Sequence, residues 1–285
     1  MPPLAQTVEE LRSDTIHGGS WMARRAVEAV LEVVAEPASS TDELLERVLV
    51  AGRQLAGARP AMGAILHAVA RLVASGQSAS HLPPEELQRL LTEEANGLIA
   101  SRDRAAASIA VHLAPSLPDA MVLTHSWSAT VREAVLHTPP AQVLCTVSQP
   151  HEEGRRLAEE LRAEGLDAEV VEDAEVEDAF GSVSLVLIGA DTVYEDGSVR
   201  NKIGTHSLLE LAERVGVRSV VACELLKLAP VPPPSDDDEP ELHDTTPGDL
   251  IDEIVTEEGS VEPEHVRSVI ERTPFLRDGY RLVKG

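Results

Sequence analysis

Five short apolar runs in the second half of the chain constrain the fold more than any other feature. They read AMVLT (120–124), QVLCTV (142–147), AEVV (168–171), VSLVLI (183–188) and RSVVAC (218–223), and helix-patterned sequence lies between them. The runs are apolar on both faces and are separated by roughly a dozen residues or more, the length a crossover helix needs. Strands of that kind belong to a parallel sheet covered by helices, so the expected fold class is doubly wound α/β. Its ligands are expected beyond the carboxyl ends of the strands, near a switch in strand order.

The first part of the chain is patterned differently. Val8, Leu11 and Thr15, then Ala26, Val30 and Val33, recur at helical spacing. Thr41 is placed to cap a helix through Val50, with Glu43 and Glu46 favourable in its early turns. Arg59-Pro60 is expected to open a helix through Val73, and Pro83-Pro84 a long one reaching about Leu113. This predicts an N-terminal domain of four helices over 1–116 and a sheet domain over 117–285, in keeping with a chain of 285 residues. Between them in character is the acidic, proline-rich stretch APVPPPSDDDEPELHDTTPGD (229–249), read as a loop whose segment 235–241 is placed to act as a flap. Beyond it, GDLIDEIVTEEG resumes a helix and a short strand.

Charge and cysteine usage narrow the partners. With 49 Asp and Glu against 24 Lys and Arg, the formal net charge is -25, which opposes binding to phosphate backbones, so no direct nucleic-acid partner is expected. Lys202, Lys227 and Lys284 are the only lysines, and an acidic, lysine-poor surface suits a high-salt cytoplasm in which ions screen self-repulsion. Only 2% of residues are aromatic, so the core is aliphatic. Cys145 and Cys223 are too few for a disulfide framework, which points to a reducing compartment. No basic start followed by an apolar run is present, and no segment approaches the roughly 18 apolar residues of a membrane span. The expectation is a soluble cytoplasmic protein without membrane contact. His112, His125, His137 and His151 fall on different predicted elements, so no metal or other cofactor is expected.

The densest chemistry lies in LIGADTVYEDGSVRNKIGTHSLLEL (187–211). A strand ending at Ile188 places Asp191 at a carboxyl edge. Asp196-Gly197 is a tight-turn dipeptide, after which Asn201 and Lys202 precede a helix start at Gly204-Thr205. Unpaired N–H groups beside an ammonium suit a phosphate. On these residues alone an equally simple account stands: Thr205 caps the helix, Lys202 is solvated and Asp191 closes a turn.

Taken with LTHSWS (123–128), SQP (148–150), ACELLKL (222–228) and TPGDLIDEIVTEEG (246–259), the GAD…NKIGT segment (189–205) resembles one family. It joins the alpha, beta and delta regulatory subunits of translation initiation factor 2B to the aldose-ketose isomerases of ribose 1,5-bisphosphate and of methylthioribose 1-phosphate. IHGG (16–19) and ARPAM (58–62) are weaker echoes. The resemblance implies an N-terminal helical domain, a Rossmann-like C-terminal domain and homo-oligomers formed through the latter. It also implies that the cysteine and aspartate that move protons along the sugar in the isomerases correspond to Ser126 and Asp191, while Asn201 and Lys202 contact the ligand.

A serine hydroxyl is a poor acid and base near neutral pH, and His125, its neighbour along an expected extended strand, points to the other face, so no Ser-His pair is expected. Gln149 stands where the isomerases carry a phosphate-holding arginine, and His17 where they carry another, ahead of Gly18 and Gly19. Arg59 is a further candidate anion contact, and Cys145 is read as a core residue rather than a substitute shuttle. The resulting expectation is a regulatory, initiation factor 2B subunit-like protein. It would bind a phosphorylated sugar or nucleotide through Asn201, Lys202, Gly204, Thr205, Arg59, Gln149, Gly18 and Gly19, with initiation factor 2 or another protein as partner. The alternatives are a ribose-1,5-bisphosphate isomerase using Asp191 with Ser126 or a water, and an oligomeric scaffold with an empty pocket.

Overall fold

The computed structural model describes residues 4–14, 16–235 and 240–284. The chain begins with helices α1 (Leu4–Ser13), α2 (Gly19–Ala35), α3 (Thr41–Ala56), α4 (Gly63–Ser78) and α5 (Pro84–Leu113). There follow β1 (Met121–Thr124), α6 (Ala129–His137), β2 (Gln142–Thr146), α7 (Glu153–Ala163), β3 (Ala168–Val171), α8 (Val176–Ala179) and β4 (Leu185–Ile188). The remainder runs β5 (Thr192–Tyr194), β6 (Val199–Lys202), α9 (Thr205–Val215), β7 (Arg218–Ala222), β8 (Leu228–Ala229), β9 (His243–Thr246), β10 (Glu253–Thr256), β11 (Gly259–Val261), α10 (Val266–Glu271) and α11 (Pro274–Lys284).

Two compact units result. One comprises Met1–Asp103, Leu226–Pro230 and Ser268–Gly285; the other Arg104–Leu225 and Val231–Arg267. The division falls inside α5, and the C-terminal α11 belongs with the first unit.

In the helical unit, Met22, Leu44, Leu55, Ile65, Leu72 and Leu91 are fully or almost fully buried in one aliphatic core. Burying side chains of this kind contributes about 1.5–3 kcal/mol each. Several local expectations need correction. Among the described residues five helices, not four, precede the sheet, and α1 stops at Ser13, whose hydroxyl donates to Glu9 O at 2.8 Å; Thr15 lies outside the described residues. The cap of α3 is Ser40, whose Oγ accepts from Glu43 N at 3.2 Å, while the Thr41 hydroxyl donates to Leu82 O at 2.7 Å. That helix runs on to Ala56 because Ala51, Leu55 and Ala56 continue its buried stripe. Pro60 sits in a turn closed by Met62 N donating to Arg59 O at 3.0 Å, so α4 starts only at Gly63.

The second unit is the doubly wound α/β fold. Its seven-stranded sheet has the order β11-β10-β7-β4-β1-β2-β3, parallel throughout except for the three-residue β11. Leu123 pairs with Leu144 of β2 on one side and Val186 of β4 on the other. Val122, Val143, Leu187 and Val220 of the sheet pack with Val131 and Ala134 of α6 and Leu157 and Leu161 of α7. The chain winds outward from β1 to β3, then returns to lay β4 on the opposite side of β1. The strand order therefore switches between β1 and β4, the crevice where such sheets hold ligands.

A small antiparallel ladder of β5, β6 and β9 stands beyond β4, with Thr192 opposite Arg200 and Val199 opposite Thr246. Asp196-Gly197 makes the expected reversal: Tyr194 N donates to Ser198 O at 2.8 Å and Gly197 has φ +84°. β9 lies inside the stretch read as a loop. Low apolar content did not prevent a strand there, because β6 supplies a complete backbone partner. Of the flap segment 235–241, residues 236–239 lie outside the described residues. No helix among the described residues is long and apolar enough to cross a membrane.

Candidate functional site

The switch point brings Ser126 and Asp191 to adjacent strand ends, two residues beyond β1 and three beyond β4. The turn after β1 packs closely on the one after β4: a Cβ added at Gly189 would lie 2.5 Å from Ser128 Oγ. Ser126 has φ +64°, so it is not on an extended strand. Its separation from His125 comes from this turn rather than from strand alternation. Ser126 N–H donates to Ser148 Oγ at 2.7 Å.

His125 is buried and committed elsewhere. Its Nε2 lies 2.8 Å from Ile203 O, and a carbonyl only accepts, so this nitrogen carries the proton. Nδ1 then accepts from Thr146 Oγ1 at 2.6 Å, and Ser148 Oγ joins the cluster 2.9 Å from Thr146 Oγ1. Burial holds the His125 pKa below its usual value, which keeps the ring neutral. From the sequence His125 was weighed only as a metal ligand and as a partner for Ser126; here it ties the end of β1 to the segment leading into α9.

Asp191 N–H donates to Arg200 O at 3.0 Å, and its Oδ2 is 3.5 Å from His243 Nε2. Asn201 Nδ2 donates to Thr205 Oγ1 at 3.1 Å, and Thr205 Oγ1 donates back to Lys202 O at 2.6 Å. Gly204 precedes α9 at φ +98°, and a Cβ there would come within 3.2 Å of the His125 ring. Conformation and space both call for glycine.

The groups expected to converge on an anion are engaged by the protein's own carboxylates. Gly204 N donates to Asp244 Oδ2 at 2.7 Å, and His206 N lies 3.2 and 3.3 Å from the two Asp244 oxygens. Lys202 Nζ donates to Glu153 Oε1 at 2.8 Å, with the lysine side chain 7% exposed and the glutamate 18%. Neither acid was singled out from the sequence. Asp244 was hidden in the stretch taken for a loop, and Glu153 is an ordinary first-turn acid of α7.

The other predicted residues are placed as follows. Gln149 is exposed; its N–H donates to Asp173 Oδ2 at 2.9 Å and its Nε2 to Glu152 Oε1 at 3.1 Å. In the helical unit, Arg59 is buried and donates through Nε to Leu11 O at 3.0 Å and through its terminal nitrogen to Asp14 O. Gly18 is the N-cap of α2, its carbonyl accepting from Trp21 N at 3.0 Å, and Gly19 is the buried first residue of that helix. His17 stacks on Trp21 at 3.8 Å. Cys145 lies in the sheet core, where burial pushes its thiol up to about 12. Among the described residues, Glu262, Glu264 and His265 bring possible metal-ligating atoms within 4.8 Å of one another, all at exposed positions.

A cavity of about 310 Å³ opens within this unit, between α9 and the ends of β1 and β2; His125, Thr146, Asp173, Glu177, Leu208 and Leu211 contribute to its walls. Of the residues expected to hold the ligand, Gly204 lines it, and Asn201, Lys202 and Thr205 do not.

The profile of the Initiation factor 2 subunit family matches residues 15–244. The chain belongs to that family. An eIF-2B subunit 2-like protein of Pyrococcus horikoshii is 30% identical over 231 residues, which is 79% of each chain. Ribose 1,5-bisphosphate isomerase of Archaeoglobus fulgidus is 28% identical over 298 residues, covering 95% of this chain and 93% of the relative. The crystal structure of the Pyrococcus horikoshii translation initiation factor eIF-2B superposes with a TM-score of 0.80 at 26% identity, over 92% of this chain and 98% of that one. The initiation factor 2 subunit family thus reaches this chain through both of its branches, factor subunits and isomerases.

Proposed function

We propose that this member of the initiation factor 2 subunit family is a regulatory, ligand-binding subunit of initiation factor 2B type without competent aldose-ketose isomerase chemistry. The observation that supports it most is the pair of groups at the switch point. Interconverting an aldose and a ketose needs a group to take a proton from one carbon and a group to return one next to it. Asp191 can serve as one. At the neighbouring strand end is Ser126, whose hydroxyl does not titrate near neutral pH, and both nitrogens of the adjacent His125 are used in the fold. The thiol of Cys145 is buried and far too weak an acid to replace it.

In this reading a phosphorylated sugar or nucleotide is held by Asn201, Lys202 and the start of α9, and its phosphate replaces carboxylates of the chain. Glu153 and Asp244 mark the two electropositive spots that a phosphate would use. Ligand binding then releases a residue of α7 and one of β9, which gives occupancy a structural readout. Self-association and a protein partner such as initiation factor 2 complete the reading.

The isomerase reading is favoured by one specific finding, the match to the Archaeoglobus fulgidus isomerase along nearly the whole chain. A turnover assay with ribose 1,5-bisphosphate at molar salt decides between the two. The expected result is no ribulose 1,5-bisphosphate; turnover that disappears in Asp191→Asn overturns the regulatory reading. Thermal shift with phosphorylated pentoses and nucleoside monophosphates tests ligand binding. A ligand at a hundred times its Kd stabilises by about 2.7 kcal/mol, and no shift with any of them leaves only a scaffold.

A further inference from the structure

We propose that the cavity between α9 and the ends of β1 and β2 is a binding site for an ammonium or guanidinium group carried on a short aliphatic stem. Its volume, about 310 Å³, falls near the lower end of the roughly 300–1,000 Å³ typical of ligand sites, enough for a small ligand or one long side chain. Leu208 and Leu211, spaced three apart on α9, and Val176 of α8 supply apolar wall for the stem. The charged groups lining the cavity are both acids, Asp173 and Glu177, with no lysine or arginine among the lining residues. Beside these two acids a phosphate would meet repulsion, and a cation attraction.

The two acids keep acceptor capacity for such a ligand. Asp173 Oδ1 accepts from Ser148 N at 2.8 Å and Oδ2 from Gln149 N at 2.9 Å, one bond to each oxygen, which leaves further lone pairs. These amides also fix the carboxylate, so a ligand does not have to order it. Glu177 meets Arg214 through Oε1 at 2.6 Å and retains a second oxygen. His125 adds no opposing charge, since burial keeps it neutral. Lys202 and Asn201 are not in the lining, but Gly204 is, so the cavity adjoins the start of α9 used in the phosphate reading, and the test reads cation and phosphate binding separately.

The test is isothermal titration calorimetry of the full chain with agmatine, a capped arginine amide and inorganic phosphate. Agmatine or the capped arginine is expected to bind saturably at one site, at least roughly ten-fold more weakly in Asp173→Asn, as loss of a charge-assisted hydrogen bond implies. Binding is expected to be lost in Ser207→Trp, which blocks the mouth from an exposed position on α9. Should Asp173→Asn fail to fold, Glu177→Gln on the rim provides the charge test with the same expected direction. Tighter binding of agmatine assigns the source to a free amine, and tighter binding of the capped arginine to a protein side chain. Absence of binding by both cations, undiminished binding in Ser207→Trp, or phosphate binding that Ser207→Trp abolishes would each overturn the proposal.

Discussion

Asp244 does at long range what a serine or aspartate usually does next door. It caps α9 from a strand forty residues further along the chain. Replacing it by alanine removes acceptors for the Gly204 and His206 amides and a negative charge at the positive end of the helix. The expected cost is about 1–2 kcal/mol, read from urea unfolding. The same variant should bind inorganic phosphate more tightly if the phosphate competes for these amides; unchanged affinity would place the anion elsewhere. In the helical unit, His67 is fully buried, with Nδ1 2.8 Å from Leu226 O, and desolvation lowers its pKa to about 4 from 6.5. Above 6.5 the ring is neutral folded or unfolded, and nothing is lost. As pH falls from 6.5 towards 4 the unfolded chain takes up a proton that the folded one refuses, so stability drops by roughly 3 kcal/mol at most. Denaturant titrations from neutral pH to about pH 4 should show this loss, and His67→Phe should remove it; identical slopes in both proteins would refute the assignment.

Among the elements, α7 depends on a single missing side chain. A Cβ at Gly154 would overlap Thr146 O of β2, a backbone atom that cannot step aside. Gly154→Ala is expected to cost about 1–3 kcal/mol or more and to loosen the neighbouring Glu153–Lys202 ion pair, measurable as a lowered Tm. The parallel strands were legible in the sequence because burial on both faces leaves uninterrupted apolar runs, and α5 because Pro83-Pro84 and a long periodic stretch mark it. Asp191 at a strand end and the turn at Asp196-Gly197 were legible for the same local reasons. β9 was not, since HDTT carries no apolar alternation and its order comes from the ladder with β6. The ion pair of Lys202 with Glu153 spans 49 residues and the cap by Asp244 spans 40 from Gly204, separations at which periodicity says nothing about contact. For that reason the sequence indicated where positive charge gathers but not that the protein already neutralises it.

For the whole molecule, 49 acids against 24 basic residues set the response to salt. Raising ionic strength from about 0.1 M to 1 M shortens the Debye length from roughly 10 Å to 3 Å and screens repulsion among the acids. Tm should rise steadily over that range of potassium chloride, and a flat or falling curve would remove charge repulsion as the governing effect. The arrangement of the large sheet carries one more consequence. Its outermost strands are the three-residue β11 and, at the opposite margin, β3, within a run of acids that includes Glu169, Glu172 and Asp173. A neighbour docking its backbone there would find either too short a template or a fence of like charge. Growth of the sheet from molecule to molecule into fibres is therefore blocked at both margins, and this crowded, acidic chain can stay dispersed at high concentration.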